Sequence, residues 1–224
     1  MIGLLVAAGV TCVGVFAIGQ RHAPQPALSA AQPLPTAGWV PARHGVGAAP
    51  TVQWVPAVAA GSLPVTIRIA AIGVRSTLQQ VGQNADGSLQ VPAPGPRYGQ
   101  PGWYRYSPTP GSIGPAVIVG HLDSAADGPS VFFRLGALRA GDTVVVGRAD
   151  GSTVTFVVDS VGRYLKTSFP TRLVYGDTAT AALRLITCGG ALSATTGHYL
   201  DNIVVLATMV RIVSGPAPLR PPGA

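Results

Sequence analysis

A single all-β domain, a closed or nearly closed barrel with one or two short helices, is the fold class that this 224-residue sequence predicts. Three observations point to it. Short runs rich in Val, Ile and Thr recur from Pro64 onward, punctuated by Gly, Pro and Asp. Asp86-Gly87 and Asp150-Gly151 are dipeptides of the hairpin-turn type. Helical periodicity is scarce: Ser130–Leu138 is the one fair helix, with Ser130 placed to cap it and Phe133, Leu135 and Leu138 along one side.

Ahead of the barrel comes an apolar segment, residues 1–20. Met1–Gly19 carries no charged side chain, and as an α-helix it would rise about 28 Å, close to the ~30 Å hydrocarbon core of a bilayer. No basic residue precedes it, and Gln20-Arg21-His22 is a poor cleavage site. An uncleaved transmembrane helix is therefore expected rather than a removed signal peptide. Arg21 follows the span, so charge alone does not orient it. Residues 21–62 are rich in Pro, Ala and Gly without periodicity, and are expected to be an extended linker that holds a folded domain away from the membrane.

Residues 63–214 carry the barrel, and 215–224 form a tail. Strands are expected at Pro64–Ile69, Ala116–Gly120, Thr143–Val146, Val154–Val158, Leu183–Thr187 and Ile203–Ala207. No internal repeat is present.

Composition removes several functions. The chain has 15 Lys+Arg against 8 Asp+Glu, a formal charge of +7. Lys166 is its only lysine and the arginines are scattered singly, so no basic patch for nucleic acid is expected. Aromatic residues are 6%, while Gly (29) and Pro (21) are abundant, a bias that resembles GC-rich coding. Two cysteines cannot build a disulfide framework or a four-thiolate zinc site. His121, Asp123, Cys188 and His198 lack metal-ligand spacing, and the scattered acids offer no calcium cluster. Neither metal nor cofactor is expected.

Two residues stand out chemically. Cys12 lies in the apolar segment, leaving Cys188 as the one cysteine of the domain. Cys188 ends the alternating run Leu183–Cys188 and precedes Gly189-Gly190. Period two puts Arg184, Ile186 and Cys188 on one face. His121 likewise ends an apolar run, Pro115–His121, with Gly120 before it. A thiol and an imidazole at strand ends suit acyl transfer: the thiolate attacks a carbonyl and the imidazole protonates the leaving amine. An oxyanion donor is also needed, and the Gly189-Gly190 amides are candidates.

These residues sit in motifs that resemble the sortases, membrane-anchored cysteine transpeptidases of Gram-positive bacteria. Leu185-Ile186-Thr187-Cys188 resembles the T-L-x-T-C strand. Gly120–Ser124 (GHLDS) resembles the GHxDS segment of the actinobacterial class F, or allied class E, group. Gly128–Leu135, Phe169–Thr171, Val174–Gly176, Thr187–Gly190 and Tyr199–Val205 are similar to the same group, so the resemblance spans about Leu63 to Val213. It implies an eight-stranded sortase-type β-barrel, Cys188 as nucleophile, His121 as general acid/base, an N-terminus inside and a catalytic domain outside the cell membrane. It further implies secreted proteins with a C-terminal LPxTG-like signal as substrates, and an amine of a peptidoglycan precursor or a pilin as acceptor.

One departure is plain. Sortases carry an arginine on the strand after the cysteine, and 191–210 contains none; Leu200 stands where it is expected. Arg134, Arg172 and Arg184 are the candidate replacements, with Asp123, Thr187 and Asn202 as possible support for the pair. Asp123, two residues beyond His121, is a candidate to orient the imidazole. Specificity is expected in wall loops at about Pro92–Pro110 and Val161–Gly176. Leu34–Gly38 (LPTAG) resembles a sorting motif with Ala where Thr belongs, and is read as linker. The rival readings are another exported thiol acyl-transferase, L,D-transpeptidase-like, and a catalytically weak barrel that binds surface proteins.

Overall fold

The computed structural model describes residues 23–29, 61–126 and 128–215. The expected membrane segment (1–20), the LPTAG stretch and most of the expected tail lie outside the described residues. Among the described residues no helix is long and apolar enough to cross a membrane.

The barrel is built from β1 (Pro64–Ile69), β2 (Val74–Thr77), β3 (Gln79–Val81), β4 (Gly102–Tyr104), β5 (Gly114–Val119), β8 (Thr143–Arg148), β9 (Thr153–Leu165), β10 (Ala181–Leu192) and β11 (Tyr199–Val213), with β6 (Asp123–Ser124) and β7 (Gly128–Pro129) as a separate ribbon. The sheet order is β2-β1-β8-β9-β11-β10-β5-β4-β3. Its two edges, β2 and β3, are consecutive in the chain and meet at Leu78, whose N–H donates to Val65 O at 2.9 Å. Taken as one strand bent at Leu78, they pair with β1 on one side and β4 on the other. The eight-stranded, nearly closed barrel of the sequence reading is thus present.

Five of the six expected strands lie within observed ones, and the sixth, Ala116–Gly120, runs one residue past the end of β5. Both Asp-Gly turns form, with Gly87 and Gly151 at φ 81° and 77°, the left-handed region that glycine enters without a Cβ clash. β9 and β11 run far beyond the apolar runs that announce them, and bulges at Leu206/Ala207 and Met209/Arg211 let the two long strands coil around the barrel. Alternation along β9 buries Val154, Phe156 and Val158 inward.

Ser130–Leu138 is not an α-helix. The segment is turns ending in a 3-10 helix at Leu135–Ala137. Its buried residues, Phe132, Leu135 and Leu138, recur every three positions, the period of a 3-10 turn rather than of an α-helix. Gly136 weakens any helix there. The one α-helix described is short, α1 (Thr171–Tyr175), and buries Val174.

The core has two parts. The barrel interior gathers Ile67, Ile69, Ile118, Phe132, Leu135, Val144, Phe156, Leu183, Leu185, Ile203 and Val205, among others. A smaller cluster of Val117, Val119, Tyr164, Ile186 and Val204 lies on the other face of the sheet, with Val174 of α1 packed into it.

Part of the expected linker is packed on the barrel. Residue 28 forms a parallel bridge with Arg163, and Ser29 N–H donates to Arg163 O at 2.7 Å. Pro24 O and Pro26 lie so close over Gly136 that a Cβ there would sit 2.2 Å and 2.8 Å from them. This strap runs from the 3-10 turn, past the end of β10, to the end of β9.

Candidate active site

Strand register brings the two key residues together. β10 and β5 are parallel neighbours, and their last pair is Ile186↔Val119. Two residues farther along each lie Cys188 and His121, on the same face by alternation and on strands about 4.8 Å apart. The strands stay joined there. Gly120 N–H donates to Ile186 O at 3.0 Å, and the buried Thr187 hydroxyl donates to Gly120 O at 2.8 Å. Thr187 therefore ties the residue before His121 to the residue before Cys188. Gly120 is needed as well, since a Cβ there would lie 2.6 Å from a ring carbon of the buried Phe132.

His121 is held on two sides. Its Nε2 is 2.8 Å from Pro92 O. A carbonyl oxygen only accepts, so Nε2 carries the hydrogen and Nδ1 remains for proton exchange. The ring stacks on Tyr98 at 3.9 Å, with 9° between planes. Tyr98 OH in turn donates to the backbone carbonyl of Asp123 at 2.9 Å. Asp123 thus bears on the imidazole through Tyr98, not by the direct carboxylate contact that its spacing suggested. Its carboxylate accepts a 2.6 Å hydrogen bond from Tyr199 OH.

Tyr199 is pushed up to about 12, first by burial, then by its hydrogen bond to Asp123, with the charges of Asp123 and Cys188 adding to the shift. It stays a neutral donor across the working range. The folded state holds this proton between pH 10 and 12 where the unfolded chain has released it, so stability falls as pH rises through that window. In an ultraviolet phenolate titration, Tyr199→Phe should remove a component near pH 12. Asp123→Asn should bring that component down while leaving it above the ordinary value of 10.0, because burial is the leading cause. An unchanged curve in Asp123→Asn would remove the carboxylate from this account.

The thiol is half-buried and unpaired. Across the sheet, Cys188 faces Asn202, and Asn202 faces Tyr164 on β9. Asn202 thus flanks the thiol on the adjoining strand. The cation at the sulfur is one that the sequence reading passed over: Lys166 Nζ lies 3.7 Å from Cys188 Sγ.

None of the three arginines named from the sequence makes a contact with that sulfur. Arg184 is buried; it donates to Leu183 O at 3.1 Å, and burial draws it down to about 10 against the opposing effect of Asp159. Sharing a face with Cys188 did not bring it to the thiol. Arg134 is exposed and lines a separate groove of 670 Å³ with Arg75. Arg172 is exposed on α1. Arg163, the arginine nearest in register, is 3.4 Å from the buried Asp201 carboxylate. Leu200 is 48% exposed.

Of the two glycine amides considered as oxyanion donors, Gly190 N–H donates to Gln25 Oε1 of the strap at 2.9 Å. That amide, two residues beyond the thiol, is thus already taken by a side-chain carbonyl. Pro92 and Lys166 come from the two stretches expected as wall loops. Those stretches also contain β4 and the end of β9, so the walls are partly strand. Among the described residues no group of three His, Cys, Asp or Glu side chains is placed to hold a metal.

A family model described as the sortase domain matches residues 67–210. No curated protein matches the chain. Similar solved structures include a lid mutant of sortase A from Corynebacterium diphtheriae, at 21% identity over 70% of this chain and 74% of that one, with a TM-score of 0.50. Sortase A from Listeria monocytogenes is similar at 13% identity over 70% and 93%, with a TM-score of 0.51. Sortase C-1 from Actinomyces oris is similar at 19% identity over 66% and 75%, with a TM-score of 0.50. At these identities the likeness concerns the fold.

Proposed function

The chain belongs to the sortase family of cysteine transpeptidases, and from that premise we propose that it cleaves an LPxTG-like sorting signal and passes the protein to an amine acceptor. The parallel register that sets His121 beside Cys188 carries this reading. Cys188 passes its thiol proton to Nδ1 of His121, and Sγ attacks the carbonyl of the Thr–Gly bond. The tetrahedral intermediate collapses to a thioester as the glycine nitrogen takes a proton from His121. An acceptor amine, from a peptidoglycan precursor or a pilin lysine, gives that proton back to His121 and displaces the sulfur. The GHLDS segment supports the actinobacterial class F or E group as the nearest relatives. Residues 1–20 would anchor the chain by a single pass, with the barrel outside the membrane.

The test is a panel of fluorogenic LPxTG-type peptides, read by initial rate and by intact mass for an acyl-enzyme, with hydroxylamine as a trap. Wild type should give a thioester and a hydroxamate product. Cys188→Ala should give neither. Equal cleavage by Cys188→Ala would end the proposal.

A further inference from the structure

We propose that Lys166 is a catalytic residue of this chain, the cation that faces first the Cys188 thiolate and then the oxyanion formed beside it. The assignment rests on the transpeptidase reading of the site and names the third group that Cys188 and His121 require. Sequence alone finds no arginine for this role in 191–210, and the barrel register explains how the gap is filled.

β9 and β11 are antiparallel, with pairs Asn202↔Tyr164 and Asp201↔Leu165. Lys166 follows directly on the last of these pairs, at the point where β9 ends, and Leu200 precedes Asp201 on β11. The end of β11 that lacks a cation therefore lies beside the end of β9, where Lys166 supplies one. Two residues before Lys166, Tyr164 shares a row with Asn202 and Cys188. The row spans two strand spacings, roughly 10 Å between the outer Cα atoms. An extended lysine side chain covers most of such a span; Lys166 is exposed, and its Nζ ends 3.7 Å from Sγ. β9 gives way at Leu165 to the 3-10 turn Lys166–Ser168, which releases the side chain from the ladder toward the thiol.

The other cations near the site are committed or turned away. Arg163 pairs with Asp201, and Arg184 is buried against its own strand. Gly190 N–H holds Gln25. Lys166 is left as a full positive charge at the reacting atom. During attack, the new Sγ–C bond forms as the carbonyl π pair moves to oxygen, next to Sγ. On collapse that pair re-forms the C=O, the C–N bond breaks, and nitrogen takes the His121 proton. Lys166 keeps its own protons throughout and acts by charge and hydrogen bonding.

Two readouts test this on the folded wild-type chain and on Lys166→Met and Lys166→Arg. The first is kcat/KM on the sorting peptides: Lys166→Met should lose about 100-fold, the loss typical of one oxyanion donor, and Lys166→Arg should stay within about tenfold of wild type. The second needs no peptide. It is the ratio of Cys188 alkylation rates by iodoacetate and by iodoacetamide, an anionic and a neutral reagent. A cation at this distance draws in the anion, so Lys166→Met should lower the ratio roughly fivefold at low salt, with the difference shrinking as salt rises. Lys166→Arg should keep the ratio, and Leu200→Arg in the Lys166→Met background should recover it. A ratio and a turnover both within twofold of wild type in Lys166→Met would overturn the assignment. A wild-type chain inactive on every sorting peptide would count against the transpeptidase reading instead, and the alkylation ratio would then decide the Lys166–Cys188 pair by itself.

Discussion

His121→Ala should lower kcat/KM for sorting-peptide cleavage by about 10³-fold while leaving Cys188 open to iodoacetamide. The two halves of this outcome come from separate parts of the site. The leaving group of acyl transfer is an amine, which departs poorly unless it is protonated as the C–N bond breaks. In this site the group fitted to do that is the imidazole. Its Nε2 hydrogen is fixed on Pro92 O, and its plane is fixed against Tyr98, so Nδ1 is the nitrogen left for proton exchange and the ring needs no search through rotamers. Alanine leaves only water as the acid. The sulfur keeps its charge partner Lys166, so its reaction with a small neutral electrophile does not need His121. Initial rates and intact mass after alkylation check the two parts on one protein. A His121→Ala chain within tenfold of wild type on peptide would take His121 out of the acid role.

The strands were legible because Val, Ile and Thr alternate at a period that nothing else in the chain imitates, and because two Asp-Gly turns fix where hairpins reverse. Cys188 and His121 were legible for a related reason: each ends an apolar run beside glycine, and parallel pairing then sets them side by side. What escaped was whatever depends on register between strands far apart in sequence. Lys166 lies 22 residues before Cys188 and reaches it across β11, a relation that no local window contains. Arg184 misled for the opposite reason: it shares the correct face, but four positions back that face is buried against the smaller cluster. The strap was invisible because residues 23–29 pack mainly through backbone groups, prolines and the Gln25 amide, which leave no apolar period. The helix expected at Ser130–Leu138 fails because its expected apolar side runs through Phe133, Leu135 and Leu138, whereas the buried residues are Phe132, Leu135 and Leu138, the every-third spacing of a 3-10 turn. α1, at five residues, is too short to show a period.

Phe132→Ala should be the most damaging core substitution near the site, costing about 3–5 kcal/mol of folding stability. That is a large share of the 5–15 kcal/mol typical of a folded domain. Phe132 is fully buried, and its ring fills the space that the missing Cβ of Gly120 leaves. Its backbone N–H donates to His121 O at 3.1 Å. The cavity left by alanine would therefore open beneath the residue that carries the imidazole. Phe156→Ala is the matched control. It is equally buried in the barrel interior, but on β9 it sits nine residues before Leu165, roughly 30 Å along the strand from the thiol end. Denaturant unfolding should give similar losses for the two variants. Peptide turnover, measured well below both unfolding transitions, should fall only in Phe132→Ala, because the Gly120-His121 backbone there can relax into the cavity and carry Nδ1 away from Cys188. Equal turnover in the two folded variants would mean that the backbone under His121 is held by Thr187 and Ile186 alone, and that Phe132 contributes stability without positioning.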